Sequence, residues 1–217
     1  VTFPVRQPSA TLLFVQILSI LLFPLMEDVS AGRALFGVVG LLVLAAALYV
    51  VKRGPWLTGF AVVLALPVVP LSIWLAFDFD PRKMVVMAAL EAVFYFYATG
   101  SLIAYMLEDE FASVDELFAA GATFTLLAWA FAYVYVVCQA LLPGSFGALT
   151  ASAGGRTWME LLFLSFTTLS GVGLGDIVPL LPMARAIVMI EEFSGVMYLA
   201  LVVSRLIALS VTTRARR

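Results

Sequence analysis

The chain has 217 residues, of which 64% are hydrophobic and only 12% charged, and its mean hydropathy is +1.10. That balance excludes an ordinary soluble globular domain and indicates an integral membrane protein in contact with lipid. A net charge of -2 offers no basic surface to nucleic acid, and a single cysteine, Cys138, with no histidine excludes a zinc site and an intrachain disulfide.

A bilayer core takes about 20 apolar residues as helix. Six stretches qualify: Ala10 to Met26, Ala34 to Val51, Leu57 to Phe77, Met84 to Leu107, Leu117 to Leu142 and Met183 to Val211. The first lies between Arg6 and Val29-Ser30-Ala31, as a secretory leader would, but its length and the spans that come directly after it favour a membrane span. The third carries Pro67 and Pro70, each without a backbone donor, so a kink is expected there. Asp78 and Asp80 before Pro81 read as turn chemistry. The fourth stretch contains one ionisable residue, Glu91, and its aromatics, such as Phe94, Tyr95, Phe96 and Tyr105, read as membrane packing. The acidic run Glu108, Asp109, Glu110, Asp115, Glu116 reads as a solvated linker, with Ser113-Val114-Asp115-Glu116 spaced as a capping box that starts the fifth helix.

Leu142 to Gly155 is rich in Gly, Pro, Ser and Ala and reads as an exposed loop. Thr157-Trp158-Met159-Glu160 then has capping-box spacing and opens a short helix, about Trp158 to Leu169, too short to span. Next comes Thr167-Thr168-Leu169-Ser170-Gly171-Val172-Gly173-Leu174-Gly175-Asp176-Ile177-Val178-Pro179, a mostly uncharged, Gly-rich piece of irregular backbone between two membrane-grade stretches. Non-helical chain at that depth is tolerated only where protein surrounds it or it lines a water-filled path. The economical reading is a re-entrant pore loop. Its spacing is not Gly-x-Gly-x-x-Gly and no βαβ unit surrounds it, which excludes a dinucleotide loop.

This loop resembles the potassium-channel signature. Alternate glycines let successive carbonyls point inward as rings of oxygens that replace the hydration of a cation. The resemblance implies a homotetramer conducting K+, with the carbonyls of Gly171, Val172, Gly173 and Leu174 as the metal ligands, Gly175 completing the filter and no other cofactor. It further implies that Thr167, Thr168 and Ser170 support the filter, that Asp176 closes the outer mouth and that Arg185 occupies a basic position at the outer end of the sixth helix. Gly195 matches the hinge glycine, and Val196, Leu199, Val203 and Ile207 would then line an apolar inner cavity. The layout looks like the voltage-gated-like cation-channel architecture: an all-α membrane protein of six transmembrane helices plus a re-entrant pore helix and filter. Residues 1–112 would form a four-helix peripheral domain and 113–217 the pore domain. The resemblance is detailed from Leu117 to Ile207 and one of number and order before that.

The sequence departs from the family pattern at two positions. Gly171 stands where the usual filter threonine supplies a hydroxyl, and Leu174 where a tyrosine ties the filter to donors on the pore helix. The matching pore-helix positions, Phe163 and Leu164, offer no donor, so an apolar contact is expected in place of that cuff. Conduction that still favours potassium is expected, with a weaker innermost site; the alternatives are a weakly selective cation channel, a non-conducting membrane subunit or a transporter, the last lacking a second copy of the loop. An enzyme is disfavoured, since no histidine and no converging Ser/Lys or paired Asp exist. Met84 to Leu107 has no arginine, so strong voltage gating is not expected. Glu191 and Glu192 are candidate buried acids, either protonated or paired structural groups at subunit contacts, or groups that support or gate the filter from behind.

Orientation is not set by charge. Arg6, Lys52, Arg53, Arg214, Arg216 and Arg217 fall on the side of the termini, and Arg33, Arg82, Lys83, Arg156 and Arg185 on the other. The resemblance places the termini of this multi-pass cell-membrane protein in the cytoplasm.

Overall fold

The computed structural model describes residues 7–27, 32–51, 58–78, 80–108, 114–148, 155–173, 175–204 and 207. Leu174, Ser113, Asp109, Glu110 and the flanking basic residues Arg6, Lys52, Arg53, Arg214, Arg216 and Arg217 lie outside them.

Helices α1 (Pro8–Glu27) and α2 (Gly32–Val51) have 20 residues each. The third apolar stretch is interrupted, giving α3 (Thr58–Ala65) and α4 (Val68–Phe77). Pro67, with no N–H to donate, sits at the break, while Pro70 falls in the first turn of α4, where its missing donor costs little. Helix α5 (Pro81–Glu108) begins three residues before Met84 because Asp80 caps it, accepting from the Arg82 N–H at 2.9 Å, with Pro81 in the favoured first position. Next in the chain are helix α6 (Val114–Leu141), β1 (Phe146–Ala148), α7 (Trp158–Leu169), β2 (Ile177–Pro179) and α8 (Pro182–Tyr198), which runs on into a π-helical turn, Leu199–Val203.

Helix α6 is the central post. It is apolar all round and buried on most faces, as such a helix must be. Ala119, Ala122, Ala128, Ala130 and Ala132 are fully buried along it, and small side chains let neighbouring backbones approach closely where lipid supplies no hydrophobic drive. Helix α5 packs along it, with Tyr95 stacked on Tyr133 at 5.8 Å and Phe96 edge-on to Phe131 at 5.0 Å. Helix α1 packs on another side, where Gln16 donates to the Ala122 carbonyl and Leu13 occupies the space that a side chain at Gly121 would need. The start of α1, the end of α2, the end of α5 and the start of α6 share one end of the bundle: Ser9, Val50, Tyr105 and Asp115 line one small cavity there. Asp115 holds α1 by accepting from the Ser9 N–H at 3.1 Å and the Ser9 hydroxyl at 2.9 Å, next to the positive end of the α1 dipole.

By length and composition four described segments can cross a membrane: Thr58–Leu75, Pro81–Leu107, Val114–Leu141 and Pro182–Val203. The described parts of α1 and α2 contribute shorter apolar stretches, Pro8–Pro24 and Val38–Val50. Large apolar side chains such as Phe14, Leu21, Val63 and Phe77 face outward, as a lipid environment requires.

The described residues are predominantly helical, as expected of an all-α membrane protein, and one expectation needs correction. Phe146–Ala148 pairs antiparallel with Ile177–Pro179, Phe146 opposite Pro179. The first part of the segment expected as an exposed loop therefore has structure, with Ser145 and Phe146 buried. Short strands satisfy backbone that the glycines and prolines of this region keep out of a helix.

Candidate functional site

Helix α7 forms because its first turn is capped from both sides. The Thr157 hydroxyl accepts from the Glu160 N–H at 3.2 Å and the Glu160 carboxylate accepts from the Thr157 N–H at 2.6 Å, as the sequence spacing predicts. The Arg156 guanidinium lies 3.6 Å from the same carboxylate. Gln139 of α6 clasps the Arg156 main chain, accepting from its N–H at 2.5 Å and donating to its carbonyl at 2.9 Å. This clasp fixes the entry to α7 against α6, and nothing in the local sequence pattern announced it.

At its far end α7 gives way to the glycine loop. Gly171 and Gly173 both adopt left-handed backbone, with φ of +71° and +65°. The N–H of Gly171 donates to the Thr168 carbonyl at 3.0 Å, and those of Val172 and Gly173 both donate to the Thr167 carbonyl at 3.1 Å. In a trans peptide the C=O points opposite to the N–H, and the described bonds are trans. The carbonyls of Ser170, Gly171 and Val172 therefore turn away from α7, on a stretch that is exposed on the protomer. Thr167 uses its hydroxyl on the Leu164 carbonyl at 2.9 Å, and the Ser170 hydroxyl caps the Thr167 carbonyl at 3.3 Å.

The loop is thus held by backbone bonds to the last turn of α7. Leu164 is buried and Phe163 is 47% exposed. Gly175 and Asp176 are exposed, and the chain then enters β2 with Ile177 buried. Arg185 of α8 donates from Nε to the Pro179 carbonyl at 3.2 Å and so ties the start of that helix to β2.

Behind the loop, three helices meet at one carboxyl group. Glu191 of α8 is fully buried, and its two oxygens are bonded to the Tyr135 hydroxyl of α6 and the Ser165 hydroxyl of α7. Ser165 also reaches the Ala128 carbonyl at 2.7 Å. Glu192, expected as a second buried acid, is exposed on the protomer, because one residue along a helix turns the side chain to another face. Glu91 of α5 is 3% exposed. Tyr135 and Ser165 were missed in the sequence; a phenol and a hydroxyl at these depths were the available signal, since polar groups in spans need partners.

Gly195 lies where α8 crosses the end of α7. A β-carbon at Gly195 would collide with the Leu169 carbonyl and lie 3.0 Å from the Leu169 Cα, so this glycine serves a backbone-to-backbone contact. Three residues on, the Tyr198 hydroxyl donates to the Ala120 carbonyl at 2.6 Å. Val196, Leu199 and Ile207 are exposed on the protomer and Val203 is half-buried. Their regular helical spacing, assumed from the sequence, is interrupted by the π-helical turn at Leu199–Val203, which carries an extra residue per turn and rotates the positions C-terminal to it.

Residues 122–211 match a family model described as an ion channel. No curated protein and no solved structure matches the chain. The matched span begins inside α6, takes in α7, the glycine loop and β2, and extends beyond α8. With its short capped helix and a loop that turns its carbonyls outward, the segment 122–211 is similar to an ion channel domain over somewhat less than half of the chain.

Proposed function

We propose that the chain is one subunit of a homotetrameric, potassium-channel-like protein of the cell membrane, in which four copies of the loop 171–175 surround the ion path. The observation that carries this reading is the alternation of left-handed Gly171 and Gly173 with three amides turned back onto α7. It leaves a ladder of carbonyl oxygens on the opposite, exposed side, and rings of such oxygens are what a dehydrated cation needs. Val196 and Leu199, exposed on the protomer, would line the inner cavity of the assembly, and the exposed apolar face of α8 would be covered by neighbouring subunits.

The proposal includes six spans, with 1–112 peripheral, 113–217 forming the pore and both termini cytoplasmic. Supporting it, α1 and α2 have 20 residues each, about 30 Å at 1.5 Å per residue, and the helix ends gathered around Asp115 fit successive spans running in alternating directions.

A weakly selective cation channel is the second reading, favoured by the backbone of Gly171: where the usual filter carries a threonine hydroxyl, this chain has neither hydroxyl nor β-carbon. Recordings of the purified protein in planar bilayers, with reversal potentials measured in mixed potassium and sodium, test both. Unitary currents with a potassium-shifted reversal potential are expected; equal permeability would leave the second reading, and the absence of unitary current would sink both.

A further inference from the structure

The contacts around Glu191 constrain where its proton sits. The Ser165 hydroxyl is in contact with two oxygens, the Ala128 carbonyl at 2.7 Å and a carboxyl oxygen of Glu191. A serine hydroxyl has one proton to donate, and a carbonyl oxygen only accepts. With Glu191 ionised, one of those contacts would press two lone pairs together at a fully buried site, which is costly where no water can intervene. The other carboxyl oxygen already accepts from the Tyr135 hydroxyl. One assignment satisfies every contact: Tyr135 donates to Glu191, the protonated oxygen of Glu191 donates to Ser165, and Ser165 donates to Ala128.

We infer that Glu191 is a neutral carboxylic acid in the folded channel domain, and that it acts as a positioning residue through which α8 is clamped at once to α6 and α7. Its surroundings agree. The titratable neighbours from α6 are Tyr135 and, beside it, Cys138; α7 presents only the hydroxyls of Ser165 and Thr168. Among the described residues no Lys or Arg forms an ion pair with Glu191. The clamp also adjoins the glycine loop: Ser165 precedes Thr168 by three residues on α7, and the Thr168 carbonyl receives the Gly171 N–H. The protonation assignment stands on the contacts alone; its consequence for conduction rests on the channel reading above.

Infrared difference spectroscopy of the purified protein, wild type minus Glu191→Gln at neutral pH, tests the proton directly. A protonated-carboxyl stretch present in the wild type and lost in the variant is expected, and the difference cancels any signal from Glu91. A spectrum showing only carboxylate lost would overturn the inference. Glutamine reproduces one donor and one acceptor, so Glu191→Gln should keep cation flux within about twofold of wild type, whereas Glu191→Ala, which removes both, should lose about tenfold or more. A folded Gln variant as impaired as the Ala variant would also overturn it. If the wild type itself passes no current, the conduction reading fails while the infrared result still decides the proton.

Discussion

Gly195 of α8 and Leu169 at the end of α7 meet backbone to backbone, with no space for a side chain between them. Gly195→Ala would force a methyl into the Leu169 carbonyl, and neither helix can yield without moving the loop that starts one residue later. Overpacking of this kind costs about 1–3 kcal/mol or more. The expected outcome is a lower unfolding temperature in detergent together with loss of cation flux. Gly40→Ala is the control, since nothing lies within 4 Å of a β-carbon there, and it should be neutral or slightly stabilising. Equal behaviour of the two variants would show that the close approach of Gly195 to Leu169 is not required.

Gly171→Thr restores the hydroxyl that the family pattern carries, yet should not restore its function. Gly171 has φ +71°, a conformation that costs an L-residue about 1–2 kcal/mol and is worst for β-branched side chains. The N–H of Gly171 would also be pulled from the Thr168 carbonyl. Reduced current without any gain of potassium over sodium, read from reversal potentials, is expected. A variant with full current and sharper selectivity would mean that the left-handed turn is dispensable.

The parts of this site legible in the sequence are those fixed by local rules. The capping box at Thr157 and Glu160, the length of α7 and the interruption at Pro67 are each set by neighbours in the chain. The left-handed glycines fit the expectation that alternate glycines serve a turned backbone. The contacts that escaped depend on tertiary partners far along the chain. Glu191 meets Ser165 across 26 residues and Tyr135 across 56, and no periodicity encodes which hydroxyl an acid will find. The pairing of β1 with β2 escaped because three-residue strands among glycines carry too little pattern. The π-helical turn escaped for a different reason: Leu199 to Val203 is an apolar run that reads equally well as regular helix.

Gln139 fixes the approach to α7 with both ends of its amide, so Gln139→Ala removes two hydrogen bonds and leaves the buried Arg156 backbone to find others. Each bond contributes about 0.5–1.5 kcal/mol net, and an orphaned buried group costs about 1–3 kcal/mol. Faster hydrogen exchange at the Arg156 and Thr157 amides is expected, with exchange at Ala128 and Ala132 in mid-α6 unchanged. Uniform acceleration along α6 would instead indicate general destabilisation.

Voltage should act weakly on this protein. A charge carried through the whole membrane potential yields about 2.3 kcal/mol per 100 mV, so steep gating requires several mobile charges per subunit. The fourth apolar stretch, within α5, has none of the arginines that would supply them. Its helix carries Arg82 and Lys83 only in the first turn, and Lys83 is anchored there, 3.7 Å from the Asp80 carboxylate and 3.8 Å from the centre of the Trp74 ring. Glu91, the carboxyl group within the stretch, is buried inside the bundle, where movement across the field would have to break its packing. Open probability should therefore change little with voltage over about 200 mV, and Glu91→Gln should leave that slope unchanged. Steep activation in the wild type, or a slope that Glu91→Gln abolishes, would place a working voltage sensor in α5 and refute the assignment of a passive peripheral bundle.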